Sequence, residues 1–411
     1  MSVSADNPVR GAVIGRGPLA GLPLEVGVLS SVAFFVAAGF GFVAPAIPLF
    51  ARSFGVSRAA AAAVVSAFAL MRLASALGVG KLVNRIGERV VLGAGIAIVA
   101  ISSALAGLAH DYLQLLLLRG AGGIGSAMFS VSTNSLLLGV TSSDQRGRAM
   151  GAVSGGFLVG GIAGPGLGGL LTGISLRAPF FLYAATLAAA GAVGLGLLPR
   201  RQHEQTHQGA APAKPTMTVG RALRLPAFRA AAFANLADSW ASLGVRAAMV
   251  PLLVMEVLHR SPIWTGIGLT VFTAGNVGTL LLGSRLADRR GRKPVILAGC
   301  LGSAAGCLML VPQLGLPLFL ASMFVFGAGS GLLDVAPGAM LGDVVSGRGG
   351  TVVATYQMAG DAGSLAGPVI AGYLADTAGY GSAFAVTAVV LLLAAALGAR
   401  APETLVRTER S

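Results

Sequence analysis

The sequence predicts an all-α membrane protein of twelve transmembrane helices, arranged as two bundles of six. Three observations support this prediction: 55% of the 411 residues are hydrophobic and only 11% are charged, long apolar runs recur along the chain, and its second half repeats the first. A soluble domain carries about 25% charged residues, so this chain has too little charge to cover a surface that faces water.

Twelve apolar runs are long enough to cross a hydrocarbon core of about 30 Å at about 1.5 Å per residue. We number them span 1 to span 12. Those of the first half lie near 26–50, 59–80, 91–110, 113–140, 149–174 and 179–198. Those of the second half lie near 229–256, 262–284, 295–313, 316–341, 351–375 and 381–399. The predicted division is an N-tail over 1–25, a bundle over 26–198, a linker over 199–228, a bundle over 229–399 and a C-tail over 400–411.

The distribution of Lys and Arg predicts the orientation of the spans. If both termini lie inside, the inner loops and tails hold 22 of the 29 basic residues, and the outer loops hold only Arg52, Arg58, Arg177 and Arg260. This asymmetry follows the positive-inside rule, so we expect a multi-pass protein of the plasma membrane with cytoplasmic termini. The net charge of +14 does not indicate a nucleic-acid partner, because the basic residues are spread over short loops.

The two halves match at a spacing of about 204 residues. The stretch GGIAGPGLGGLL from Gly160 and the stretch GSLAGPVIAGYL from Gly363 are identical at six of twelve positions. Duplication of a six-span unit leaves both copies in the same orientation, related by an axis along the membrane normal. Two such bundles with a pathway between them form the architecture of an alternating-access transporter.

Two charged loops occupy equivalent places in the repeat. The first, GKLVNRIGER, runs from Gly80 to Arg89, and the second, SRLADRRGRK, runs from Ser284 to Lys293. Span 4 adds Arg119 in RGAGGIG, and span 5 adds GGIAGPGLGG. In this order the motifs resemble the major facilitator superfamily over essentially the whole chain, and span 5 resembles its twelve-span drug:proton antiporter branch. The resemblance implies the major facilitator fold and proton-coupled drug efflux.

The resemblance also implies that the charged loops act as conformational latches. The alternative is that their basic residues only anchor the helix ends at the inner surface. A carboxylate gains more than an amide from a helix N-terminus, so Asp288 is favoured over Asn84, which stands where the family has Asp. We therefore expect the second loop to dominate. The candidate residues are Gly80, Asn84, Arg85, Gly87 and Arg89 in the first loop and Asp288, Arg289, Gly291, Arg292 and Lys293 in the second.

The Gly-Pro stretches have two interpretations. Pro165 removes a backbone donor and bends its helix, while the glycines let a neighbouring helix approach closely. Span 5 is therefore either a bending helix that seals the interface of the halves or a tightly packed helix only. The residues concerned are Gly160, Gly164, Pro165, Gly168 and Gly169, with Gly363, Gly367 and Pro368 in the repeat.

Polar residues form three stripes at helical spacing. Asn235, Asp238, Ser242 and Arg246 follow one face of span 7, and similar stripes begin at Arg119 in span 4 and at Gln357 in span 11. Such stripes predict an aqueous cavity, with polar helix–helix contacts as the alternative. Trp240 and Tyr356 either stack on a substrate or pack. The cavity candidates are Arg72, Arg119, Ser126, Asn235, Trp240, Ser242, Arg246, Asn276, Tyr356 and Gln357.

Proton coupling in a membrane protein requires an embedded acid. The candidates are Asp238, Asp361 and Asp334, and the first two are favoured because each sits on a polar stripe. The alternative for each is a structural pair with a buried arginine. Several drug antiporters of the family carry an acid in an N-terminal span, whereas the only charges embedded in the first half here are Arg72 and Arg119.

The leading functional hypothesis is export of a small, mostly apolar compound from the cytoplasm by proton antiport. A second hypothesis is import of an anionic metabolite, with Arg72, Arg119 and Arg246 as ligands. The absence of a phosphate-loop motif indicates transport driven by a gradient rather than by a nucleotide. A receptor or membrane enzyme is the least favoured class, because the sequence shows no metal-ligand or nucleophile–base constellation. We expect a monomer without cofactor or metal, whose partners are a small-molecule substrate, protons and the lipid bilayer.

Overall fold

A computed structural model gives the architecture of the chain. It describes Ile14 and residues 20–142, 145–198, 217–313, 315–344 and 350–405. Most of the predicted N-tail, residues 199–216 of the predicted linker and the end of the C-tail lie outside the described residues. Within the described ranges the secondary structure is helical and no strand occurs, which confirms the all-α prediction.

The described residues contain sixteen α-helices and one π-helical segment. The first half contains α1 (Leu24–Val43), α2 (Ala46–Arg52), α3 (Arg58–Ile86), α4 (Glu88–Gly107), α5 (Tyr112–Val140), α6 (Arg146–Ile174) and α7 (Ala178–Leu197). The second half contains α8 (Val219–Arg224), α9 (Pro226–Asp238), the π segment (Ser239–Val245), α10 (Arg246–Glu256), α11 (Pro262–Arg290), α12 (Arg292–Met309), α13 (Leu316–Leu333), α14 (Ala336–Val344), α15 (Gly350–Ala378) and α16 (Tyr380–Arg400).

Each predicted span coincides with one helix or with a broken helix. Nine segments in the described part of the chain are long and apolar enough to cross a membrane, and they correspond to spans 1 to 6, 8, 10 and 12. The protein is therefore a multi-pass membrane protein. Spans 7, 9 and 11 remain predictions. Asp238 and Arg246 lower the hydropathy of span 7, and Asp361 lowers that of span 11. The helix of span 9, α12, begins with the charged residues Arg292 and Lys293.

Three spans are interrupted, and two of the interruptions lie next to prolines. Span 1 is divided between α1 and α2 at Pro45, and span 10 is divided between α13 and α14 just before Pro337. Proline has no N–H to complete the helical ladder, so these sites are where the ladder breaks. Span 7 contains the π segment instead. The break in span 10 places Asp334 between its two helices.

The helices form two bundles that meet along two seams. In the first half α1 packs against α6 and α7, while α5 packs against α3 and α4. Between the halves, α6 packs against α11 and α3 packs against α15. We use "outer" for the predicted extracellular end of each span and "inner" for the predicted cytoplasmic end. One seam therefore pairs span 5 with span 8, and the other pairs span 2 with span 11.

Candidate functional site

The seam between α6 and α11 is tight at its outer end. A Cβ added to Gly169 would lie 2.6 Å from the Cα of Gly266, closer than side chains pack, so the two backbones touch there. The same stretch of α6 also packs on span 1, because a Cβ on Gly160 would lie 2.3 Å from the carbonyl oxygen of Phe34. These glycines therefore serve close packing on two sides, within a half and between the halves.

A charged cluster joins the outer ends of the two halves, and we call it the outer lock. Arg52 and Arg58 of the first half each direct Nε to the Glu256 carboxylate of the second half at 2.8 Å. The Tyr380 hydroxyl donates to the same carboxylate at 2.9 Å, and the Arg58 guanidinium lies over the Tyr380 ring, 4.8 Å from its centroid. Because Glu256 has three donors, its charge is fully accommodated only while the outer ends are together.

A second carboxylate of the outer lock binds backbone rather than side chains. Asp376 of α15 accepts hydrogen bonds from the backbone N–H groups of Arg58 at 3.0 Å and Ala59 at 2.9 Å, at the start of α3. The first N–H groups of a helix have no partner within it and carry a partial positive charge, so an acid is stabilised there. Asp376 thus caps a helix that belongs to the other half.

Polar contacts along the α3–α15 seam continue toward the middle of the membrane. Ser66 donates to the carbonyl of Leu365 at 2.7 Å, and deeper still Arg72 pairs with Asp361. All these named contacts lie between the outer surface and the middle of the spans. In contrast, Asp334 in the middle of span 10 and Gln357 in span 11 are exposed. The halves are thus in contact at their outer ends, whereas these two polar side chains, at mid-span and in the inner part of span 11, are not covered by protein.

The second half holds a cluster of charged and polar side chains around Asp334. Asp238 is 7% exposed, and its Oδ1 has no hydrogen-bond partner in the described part of the chain. Asp334 Oδ2 accepts a hydrogen bond from Asn276 Nδ2 at 2.8 Å. The two carboxylates interact electrostatically with each other and with Arg246, whose guanidinium lies 4.1 Å from the centroid of the Phe272 ring. One cation is therefore shared by two acids.

The π segment sets the geometry of this cluster, and the sequence pattern did not predict it. Ser242 donates to the carbonyl of Asp238 at 2.8 Å, and Arg246 Nε donates to the carbonyl of Ser242 at 2.9 Å. The expected stripe along span 7 assumed 3.6 residues per turn, whereas a π turn is wider. The π segment therefore alters the positions of Ser242 and Arg246 relative to Asp238. Asn235 and Asp238 both precede it in α9, where Asn235 bonds the Tyr356 carbonyl of span 11 at 2.9 Å and Asp238 interacts with Asp334 of span 10.

The remaining cavity candidates separate into two groups. Trp240 is 8% exposed and donates its indole N–H to Thr387 Oγ1 of span 12 at 3.3 Å, which favours the packing alternative for this side chain. Arg119 is 3% exposed and lies over the Phe68 ring within the first half, 4.7 Å from its centroid. Ser126 and Tyr356 are partly exposed.

The three embedded arginines occupy different surroundings. Arg119 lies inside the first half, Arg72 pairs with Asp361 in the α3–α15 seam, and Arg246 lies over the Phe272 ring and interacts electrostatically with two acids of the second half. They do not converge on a common space. For Asp361, pairing with an arginine was one of the two alternatives drawn from the sequence, and the structure places it in such a pair.

The second charged loop is held within its own half. Arg292 Nε lies 2.9 Å from the Asp343 carboxylate, and Arg292 Nη1 lies 3.3 Å from Asp288, whose side chain is 74% exposed. Asp288 does not cap α12. That position belongs to Glu403, which accepts the backbone N–H groups of Arg292 at 2.9 Å and Lys293 at 3.1 Å. The latch role of Asp288 remains a prediction.

Glu403 brings the start of the C-tail onto this loop. Partial burial would raise the pKa of Glu403, but backbone N–H donors from Leu405, Arg292, Lys293 and Thr404 outweigh it and hold the pKa below its usual value. Thr404 also donates to Asp343 at 2.8 Å. In the first loop, Arg89 donates to the carbonyl of Leu195, and Gly87 adopts a φ of 88°. Both loops thus bond within their own bundles.

No metal centre or disulfide accompanies these clusters in the described ranges. Groups of three or more His, Cys, Asp or Glu residues that could hold a metal are absent there. The two cysteines, Cys300 and Cys307, are buried free thiols in span 9.

Sequence reasoning missed Glu256, Asp376, Tyr380 and Glu403. The first three lie at outer helix ends, where a charge or a tyrosine is ordinary. One signal was present: the outer loops of the first half contribute Arg52 and Arg58, while the outer ends of the second half contribute acids. The sequence alone does not show which of these outer helix ends come together, because that depends on how the two halves pack.

The sequence profile of the Major Facilitator Superfamily matches residues 29–243 and 230–410. Among characterised relatives, Multidrug resistance protein 2 of Bacillus subtilis (strain 168) is 29% identical over 182 residues, 44% of this chain and 46% of that protein. Quinolone resistance protein NorA of Staphylococcus aureus (strain MRSA252) is 28% identical over 171 residues, 42% of each chain. The matches therefore span less than half the length of these relatives.

Solved structures resemble the chain over almost its whole length. A bacterial homologue of the human lysosomal transporter Spinster, inward-facing and unoccupied, has a TM-score of 0.72 and 16% identity, and the match covers 91% of this chain and 95% of that one. A mutant of the nucleoside transporter NupG has a TM-score of 0.70 and 14% identity, and the match covers 92% of this chain and 98% of that one. At this identity the likeness concerns the fold alone.

Proposed function

The chain belongs to the major facilitator superfamily, and from this premise we propose that it exports a small, mostly apolar compound from the cytoplasm by proton antiport. The observation that carries the proposal is the pair Asp238 and Asp334, two embedded acids that interact electrostatically with each other and with Arg246. Embedded acids are costly and mark ion pathways. The names of the relatives, which concern multidrug and quinolone resistance, support an efflux substrate.

In this proposal the proton is carried by the pair of Asp238 and Asp334. Arg246 can balance one negative charge, so the second acid is the natural proton acceptor. Asp361 is less suited, because Arg72 already balances its charge. Protonation of the pair changes the attraction between spans 7, 8 and 10, and substrate binding in the inner cavity favours proton release.

Alternating access follows from the two sets of contacts. The outer lock and the Gly169–Gly266 contact close the outer side, and their separation would open the cavity outward. We place the protein in the plasma membrane as a monomer with cytoplasmic termini, an orientation supported by the distribution of basic residues. The latch loops then face the cytoplasm.

The anion-import hypothesis has less support. It requires Arg72, Arg119 and Arg246 to present positive charge to one ligand, yet they lie in three separate surroundings. Arg119→Lys tests the point directly, since Lys cannot reproduce a planar two-donor contact with a carboxylate. Unchanged uptake of organic anions in this variant would leave the hypothesis without its central ligand.

The coupling assignment can be tested in proteoliposomes with an imposed pH gradient. A growth-inhibition screen over chemically diverse compounds first identifies a compound to which overexpression gives resistance. We expect Asp238→Asn and Asp334→Asn to abolish export driven by the gradient, because the amide carries no exchangeable charge. Asp111→Asn is the matched control, since Asp111 caps α5 at the outer surface, far from the pair. Full gradient-driven export in both variants of the pair would refute the assignment.

A further inference from the structure

The inner half of the first bundle contains an open cavity between α5 and α6, and we call it the α5–α6 cavity. It is open to its surroundings and has a volume of about 140 Å³, so it can take up part of a small molecule rather than the whole of it. Four polar side chains and an aromatic pair matter for its chemistry: Ser130, Thr133, Asn134 and Ser154, with Phe129 and Phe157. None of the residues that line it is charged.

The polar groups of the α5–α6 cavity lack protein partners. Thr133 is 4% exposed, and its Oγ1 has no hydrogen-bond partner in the described part of the chain. Hydroxyl groups on membrane helices usually bond a carbonyl of the preceding turn, as Thr141 does to Leu137 at 2.6 Å and Thr172 does to Gly168 at 2.6 Å. Thr133 departs from this pattern beside empty space.

The exposed members of the cavity indicate that it holds water. Asn134 and Ser154 are exposed, and neither takes part in a hydrogen bond among the described residues. A polar group without a partner is costly in hydrocarbon, so these side chains face water or a ligand rather than lipid. The cavity therefore presents several free hydrogen-bonding groups on one side.

The aromatic pair gives the cavity an apolar side. The rings of Phe129 and Phe157 have centroids 6.0 Å apart and an interplanar angle of 67°, an edge-to-face arrangement. Phe157 is partly exposed, so its ring can contact a further aromatic group. A cation would find no carboxylate among the lining residues, whereas an uncharged ring system with hydrogen-bonding substituents would find both kinds of partner.

We propose that the α5–α6 cavity is a binding subsite for an uncharged amphipathic molecule that carries an aromatic ring and hydrogen-bonding groups. The proposal rests on the proposed function insofar as this molecule is the transported compound. Substrate recognition then belongs to the first half, while the acids that carry protons belong to the second half. Phe129 and Phe157 contact the ring, and Thr133, Asn134 and Ser154 bond its polar groups.

The test measures binding by protection of a cysteine and requires no transport. Ser154→Cys is introduced into a variant in which Cys300 and Cys307, the two native cysteines, are replaced by Ala. The purified protein in lipid nanodiscs reacts with a water-soluble maleimide, alone or with Nile red, an uncharged aromatic dye that bears hydrogen-bond acceptors. Ethidium, a permanent aromatic cation, is the matched probe. Leu167→Cys, at an exposed apolar position of the same helix, is the control for lipid-facing residues.

We expect the thiol of the Ser154→Cys variant to be accessible to water. It should therefore be labelled at least tenfold faster than the thiol of the Leu167→Cys control. Nile red should slow this labelling severalfold, and ethidium should not. Added Thr133→Val, which keeps the shape and removes the hydroxyl, or Phe157→Ala should reduce the protection. Slow labelling of the Ser154→Cys variant, absence of protection by Nile red, equal protection by both dyes, or protection unchanged by both added substitutions would each overturn the proposal.

The outcome is separable from that of the proposed function. Loss of gradient-driven export in the variants of Asp238 and Asp334, without protection by Nile red, would leave the transporter assignment intact and remove only the subsite. Protection by Nile red with full export in those variants would support the subsite and remove the coupling assignment.

Discussion

Glu256→Gln is expected to open the outer side of the protein. The carboxylate accepts Nε donors from Arg52 and Arg58 at 2.8 Å and the Tyr380 hydroxyl at 2.9 Å. Glutamine keeps the shape and one acceptor oxygen but loses the negative charge that both arginines approach. The substitution therefore weakens contacts that exist only while the outer ends of the halves are together.

The size of the effect follows from the exposure of the three side chains. A hydrogen bond to a charged group contributes roughly 1.5–3 kcal/mol when buried, and an exposed ion pair contributes about 0.2–1 kcal/mol. Glu256, Arg52 and Arg58 have side-chain exposures of 23%, 32% and 30%, so we assign about 1 kcal/mol to each ion pair. Loss of about 2 kcal/mol changes the ratio of outward-open to outward-closed protein by a factor of about 30.

The assay measures access from the outside to the α3–α15 seam. Ser66 is buried there and donates to Leu365, so Ser66→Cys in the background without native cysteines should react slowly with an impermeant maleimide applied outside intact cells. Glu256→Gln should accelerate this labelling up to about 30-fold. Asp111→Asn changes an outer acid without contact between the halves and serves as the control. Equal labelling in the Glu256→Gln variant, the control and the parent would refute the role of the outer lock.

Four further predictions concern other contacts. Gly169→Ala should also raise outside labelling of the Ser66→Cys variant, because its Cβ would lie 2.6 Å from Gly266, whereas Gly161→Ala, where a Cβ meets open space, should not; similar rates would contradict this view of the seam. Single reversals Arg72→Asp and Asp361→Arg should each lower the thermal midpoint of unfolding, and the double reversal should recover part of the loss; no recovery would argue against a direct pair. Asp288→Asn is expected to impair transport more than Asn84→Ala, and equal transport would argue against a latch that acts mainly through the second loop. Glu403→Ala should speed amide hydrogen exchange at Arg292 and Lys293; because the folded pKa of Glu403 is depressed, the protection in the parent should be present above the unfolded glutamate pKa of about 4.3 and should be lost only as the pH falls through the lower folded value.

The sequence predicted those features that depend on composition and on local spacing. Span positions, the all-α fold and the repeat followed from apolar length and from motifs such as the Gly-Pro stretches. Asp334 was chosen as a candidate because an embedded acid is conspicuous in any apolar run. Its favourable position at a helix break was not inferred, although Pro337 was a local signal for the break.

The features that were missed depend on tertiary packing. The π segment shifts Ser242 and Arg246 relative to Asp238, and the 3.6-residue period used for the stripe does not reveal it. The outer lock depends on which outer ends come together, so Glu256 could not be distinguished from an ordinary charged residue at a helix end. Glu403 became recognisable only when the chain was seen to return onto the loop that contains Arg292.

The cap that Asp376 provides for α3 has an evolutionary consequence. Its two hydrogen bonds reach the backbone amides of residues 58 and 59, which every amino acid except proline supplies. Substitution at Ala59 by any residue except proline therefore leaves this part of the contact in place, while replacement of Asp376 by a residue without a side-chain acceptor removes it. The two bundles consequently differ in mutational freedom at this junction: one side must preserve a side-chain acceptor, and the other needs only an ordinary helix start.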